Sequence, residues 1–123
     1  MNAVIDLSAF QNLRLRGGFT IVRLRITDEP LIDAIAREAV ARTAIVGDEF
    51  YITIRGGLTD KELSVTLYHE ILEAMTVASD NPPTNVRMFN ERDFERAAYR
   101  AHEEFGEASP TTIDLMLQSH GFR

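Results

Sequence analysis

In two stretches of the first half of the chain, apolar and polar residues alternate. In "FTIVRLRI", Val22, Leu24 and Ile26 alternate with Arg23 and Arg25. Together with "NLRLR" and the intervening Gly17-Gly18, this predicts two strands around a tight glycine turn. In "EFYITIR", Phe50, Ile52 and Ile54 alternate with Glu49, Tyr51, Thr53 and Arg55, which predicts a half-buried strand at the sheet edge, closed by Gly56-Gly57. Between the two the period lengthens. After "TDEP", residues Leu31, Ile32, Ile35, Ala36, Ala39 and Val40 follow at helical spacing, with Pro30 suited to a first turn and Gly47 beyond the end.

The second half keeps the helical period. Thr59 with Glu62 three residues on is a capping box, so a helix is expected from near Asp60 to about Ala78. Pro82-Pro83 cannot continue it, and Asn90 with Asp93 caps a further helix running to about Phe105. Ser109-Pro110 ends that segment. A short closing helix follows, with Ile113, Met116, Leu117 and His120 on one stripe and Gly121 as its stop. The expected fold is one α+β domain over residues 1–123: a small twisted sheet, an edge strand, a buried helix, and a mostly helical C-terminal half.

The helix over 60–78 is unusual. Leu63, Leu67, Ile71, Ala74 and Ala78 form one apolar face, and Val65, Tyr68, Leu72 and Met75 carry that character past half of the circumference. What remains polar is one narrow stripe of Thr66, His69, Glu70, Glu73 and Thr76. A helix apolar on most sides is buried, and a buried carboxylate needs a cation, a metal or a strong donor beside it. His69 and Glu73 are four apart and project together, one turn from each other, with Glu70 between them. That is the spacing of H-E-x-x-H with a carboxylate in place of the second imidazole, an oxygen donor that zinc accepts. Catalytic zinc takes three protein ligands, and His102, on the margin of the next helix's packing stripe, is the candidate third.

Composition narrows the chemistry. The 123 residues contain no cysteine, so only His, Asp and Glu remain as ligands. The net charge of −6 argues against a general phosphate-backbone binder, and the alternating arginines read as a strand's wet face. No run approaches membrane-spanning length and the N-terminus lacks the pattern of a signal peptide, which makes the cytoplasm the default compartment. The alternative to a metal site is a polar interior patch in which the carboxylates pair with Arg37, Arg42, Arg87 or Arg100.

Taken together, "YITI", the turn through Gly56-Gly57 and "LTDKELSVTLYHEILEAM" resemble a minimal zincin, the metallopeptidase-like domain built on H-E-x-x-H, here in an H-E-x-x-E form. The resemblance implies zinc as cofactor and Glu70 as general base. It also implies "YITI" as the strand that binds an extended peptide, with Tyr51 and Thr53 as substrate-binding residues. Tyr99, one turn before His102, is a possible oxyanion donor. The implied function is zinc-dependent hydrolysis of a peptide or protein, with no nucleic acid or membrane involved. The alternative is a catalytically inactive zincin-derived module that binds a protein partner. A di-metal carboxylate site is a third reading, weakened by the absence of paired E-x-x-H motifs.

Overall fold

A computed structural model describes residues 5–32 and 38–123. In chain order the strands are β1 (Leu13–Arg14), β2 (Thr20–Thr27), β3 (Leu31–Ile32), β4 (Glu38–Ala39), β5 (Ala41–Val46) and β6 (Glu49–Arg55). The helices are α1 (Asp60–Ala78), α2 (Thr84–Arg87), α3 (Glu91–Phe105) and α4 (Pro110–Ser119). The main sheet has the order β1-β2-β6-β5; β2 and β6 run parallel, and the two outer pairings are antiparallel. β3 and β4 form a separate antiparallel pair. The class is α+β, as the element order implies.

Several elements form for the reasons the sequence supplies. The turn between β1 and β2 uses Gly17 at a φ of 75°, a left-handed conformation that glycine adopts without strain. In β6 the alternation holds: Phe50, Ile52 and Ile54 are fully buried. Thr59 and Glu62 exchange the two hydrogen bonds of a capping box at the start of α1, and Asn90 and Asp93 do the same for α3. Ser109 caps α4, with Pro110 as its first residue.

Three expectations are corrected. First, β6 is not at the edge: it pairs with β2 on one side and β5 on the other, and β5 holds the edge. Second, the helix expected from Leu31 to Val40 gives strand at Leu31–Ile32 and Glu38–Ala39, while residues 33–37 lie outside those described. Its continuation, "ARTAIV", is β5, turning into β6 through Gly47, at a φ of 63°, and Asp48. The alternation of half-buried Ala41 and Thr43 with exposed Arg42 and Ala44 suits a pleated strand better than a helix.

Third, the inward face of β2 is set by a bulge. Ile21 pairs with Phe50 and Arg23 with Tyr51, leaving Val22 as the extra residue. Ile21 and Leu24 are therefore the buried pair, Val22 is only half-buried, and Ile26 is 39% exposed at the strand's far end.

The core lies between one face of the sheet and α1. Ile21, Leu24, Phe50, Ile52 and Ile54 from the sheet join Leu67, Tyr68, Ile71, Leu72 and Met75 from α1, with Phe94, Ala98, Ile113 and Met116 from α3 and α4 in the same cluster. α1 thus meets sheet residues and helices together, which is why it is apolar around most of its circumference. No helix among the described residues is long and apolar enough to cross a membrane.

Candidate metal centre

The polar stripe of α1 is half-buried, and its members divide by partner. The Thr66 and Thr76 hydroxyls donate to carbonyls of the preceding turn, at Glu62 and Leu72. His69, Glu70 and Glu73 face the N-terminal turn of α3. α1 and α3 run antiparallel, with Ser64 against His102 at one end and His69 against Phe94 at the other. The Asn90 cap makes Glu91 the first residue of α3, and this turn brings its carboxylate to the stripe.

His69 Nε2 lies 3.3 Å from Glu91 Oε2 and 3.6 Å from Glu73 Oε2. One donor atom from each of the three residues falls within 4.8 Å of the others, so His69, Glu73 and Glu91 form a group that can hold a metal ion. The His69 ring stacks on Phe94, with centroids 6.4 Å apart and planes 17° from parallel, which limits its rotation. The buried Glu73 Oε2 has no hydrogen-bond partner, since its contact with His69 is of ion-pair length only. A buried carboxylate oxygen left unpartnered is costly, and a cation in the group would relieve it.

The electrostatics are those of crowded carboxylates. Burial pushes Glu70 up to about 7; the charges of Glu73 and Glu91 add to this and His69 opposes it. Contact with His69 holds Glu73 below the ordinary carboxylate value, while contact with Glu73 raises Glu91. Glu73 and Glu91 thus shift in opposite directions as an interacting pair. Burial pulls His69 down, but Glu73, Glu70 and Glu91 outweigh it and raise the imidazole on balance. None of Arg42, Arg87 and Arg100 pairs with these carboxylates: Arg87 instead binds Asn81 and the Pro82 carbonyl. Arg37 lies outside the described residues.

The other residues expected at the site lie elsewhere. His102 Nδ1 is 2.8 Å from Ser64 Oγ, which also accepts from the Ala108 backbone N–H at 2.8 Å. Ser64 precedes His69 by five residues, about 7.5 Å along the helix axis. His102 therefore fastens α1 to the α3–α4 connection, and Glu91 takes the third place in the group. Tyr99 is 44% exposed, with Lys61 Nζ 6.0 Å from its ring centre; Lys61 is in the first turn of α1, eight residues before His69. Tyr51 and Thr53 lie on the sheet face turned away from α1. Their strand is hydrogen-bonded on both sides, so an added peptide could not pair with it.

Glu91 was the member that pattern reading missed. Its signal was the Asn90–Asp93 capping box, which fixes Glu91 in the first turn of α3, but only the antiparallel docking of α1 and α3 shows where that turn points. No family model, curated protein or solved structure matches this chain.

Proposed function

We propose that the protein is a divalent-metal-dependent hydrolase of the minimal zincin kind, acting on peptide bonds, with zinc as its ion. His69, Glu73 and Glu91 would hold the ion and Glu70 would act as general base. The observation that carries this reading is the convergence of half-buried His69 and Glu73 with the exposed Glu91 carboxylate, Glu73 Oε2 being unpartnered and half-buried Glu70 adjacent to His69 in sequence. One nitrogen and two oxygens suit zinc, and with two carboxylates the set also accepts manganese.

A divalent ion held there would supply Lewis acidity toward a carbonyl oxygen and acidify water. The chain's own residues supply the rest. Glu70, next to His69 and three residues before Glu73, is placed to take a proton from water and return it to a leaving amine. Phe94 stacks on the imidazole and limits its rotation, and an arriving cation would favour the ionised forms of Glu73 and Glu91. An extended substrate would lie along β5, the strand that holds the sheet edge and packs beside α1. Arg55 N–H donates to the Val40 carbonyl, which makes Val40 and Arg55 a hydrogen-bonded pair at the end of the β5–β6 ladder. Antiparallel alternation then turns the backbone groups of Ala41, Thr43 and Ile45 outward.

The test is hydrolysis of a mixed-sequence peptide library by zinc- and manganese-loaded protein, beside Glu70→Gln. Cleavage by the parent, lost in Glu70→Gln with bound metal retained, supports the hydrolase. Metal binding without cleavage of any peptide overturns it in favour of an inactive binding module.

A further inference from the structure

The sheet has a second face, and the fold sorts charge onto it. The register places Arg14, Arg23, Arg25 and Arg42 together on the side away from α1, with Glu49 as the single acidic residue of these strands on that side. Arg25, Thr53 and Arg42 form one row across three strands, and Arg23, Tyr51 and Ala44 the next. Strand geometry separates Arg25 from Arg42 by about 10 Å across the sheet and the two rows by about 7 Å along it. Arg14, Arg23, Arg25 and Arg42 are all exposed.

Arg14, Arg23, Arg25 and Arg42 meet no carboxylate among the described residues. Arg23 lies over the Tyr51 ring at 6.0 Å, and Arg25 Nε donates to Thr53 Oγ1 at 3.4 Å; both partners are uncharged. Arg14 and Arg42 make no ion pair among the described residues. In a chain with 19 acidic residues against 13 basic ones, four exposed guanidiniums without a carboxylate form a cationic surface that the net charge conceals.

We propose that this open sheet face binds single-stranded nucleic acid. A row of guanidiniums spread over two strand spacings matches a chain of phosphates better than a lone carboxylate. Tyr51, half-exposed on a central strand between the arginines, offers a flat ring on which a base can stack. Thr20 and Thr53 add hydroxyls for sugar or phosphate oxygens. The metal centre is on the other side of the sheet, so this surface stands or falls independently of the hydrolase.

The test is fluorescence anisotropy with a labelled twelve-residue oligothymidylate and the matching oligouridylate, against heparin and polyglutamate as polyanions without bases. Binding is expected at low salt, with log K falling against log salt at a slope of about −2 to −3 for three or four phosphates contacted. Arg25→Ala/Arg42→Ala is expected to weaken it at least tenfold, and Tyr51→Ala to weaken the oligonucleotides but not heparin. Arg14→Glu, on the short outer strand, is the second variant should the double substitution unfold. No oligonucleotide binding at 50 mM salt and 100 µM protein would overturn the proposal. So would affinity unchanged by these substitutions, or equal binding of polyglutamate, which would point to an acidic protein.

Discussion

The chain contains the dipeptide His-Glu twice, on two helices that pack against each other, and the two copies have opposite fates. His69 meets two carboxylates from different helices and a phenylalanine ring, and its neighbour Glu70 is held near neutrality by burial. His102 meets a buried serine hydroxyl, and its neighbour Glu103 is exposed. The dipeptide is the same; what differs is the group that the opposing helix brings. A carboxylate arriving across the interface makes a cation site, whereas a hydroxyl already accepting a backbone N–H makes a fastener.

The largest effect expected from breaking that contrast is on metal affinity. His69→Ala is expected to lower it by more than about 100-fold, beyond the 10–100-fold usual for losing an outer partner of a ligand. His102→Ala is expected to change it less than threefold. Calorimetric zinc titration of the two variants checks this directly.

Stability separates them in the other direction. Ser64→Ala strips the Ala108 N–H and His102 of their common partner in a buried setting, at a cost of about 1–3 kcal/mol in urea unfolding. Metal affinity is expected to stay within threefold. A loss of metal binding in Ser64→Ala comparable to that in His69→Ala would erase the distinction.

Glu70 sharpens the contrast through pH. Its carboxyl titrates near 7 in the folded state against an ordinary value of 4.5, so the folded protein holds a proton that the unfolded chain has released. Stability of the metal-free protein therefore falls as pH rises from about 4.5 to 7. Metal-free Glu70→Gln, which cannot ionise, is expected to match the parent at pH 4 and exceed it by about 1–3 kcal/mol at pH 8, allowing for partial exposure. Thermal melts across that range decide it, and equal stability of the two proteins at pH 8 would remove the burial penalty assigned to Glu70.

The smallest effect concerns the cap that aims Glu91. Asn90→Ala and Ser109→Ala each remove a helix cap and each is expected to cost about 1 kcal/mol. Only the first lies beside Glu91, so only Asn90→Ala is expected to lower metal affinity as well, by a few-fold.

How much of this was legible in the sequence differed by element. The capped helices could be read because their signals are local: Thr59 with Glu62, Asn90 with Asp93, and Ser109 before Pro110 each act within one turn. β5 is obscured in the sequence because "LIDAIAREAV" just before it satisfies the helical period, although Gly47-Asp48 is a hairpin signal in its own right. The Val22 bulge was hidden because alternation carries no record of an inserted residue until a partner strand is in place. At the candidate site, His69, Glu70 and Glu73 were readable from one helix wheel. Glu91 was not, because it belongs to a contact between two helices whose relative placement no periodicity encodes. His102 lies on the margin of α3's packing stripe as a ligand would, but Ser64, a small polar residue on the buried side of α1, binds it instead.

The measurement that bears most directly on the metal centre is calorimetric titration of zinc, and then manganese, into metal-free parent protein, Glu91→Gln and His102→Ala. One ion per chain is expected for the parent, with binding strongly weakened in Glu91→Gln and preserved in His102→Ala. No ion bound by the parent, or His102→Ala as damaging as His69→Ala with Glu91→Gln unaffected, would contradict a centre built from His69, Glu73 and Glu91.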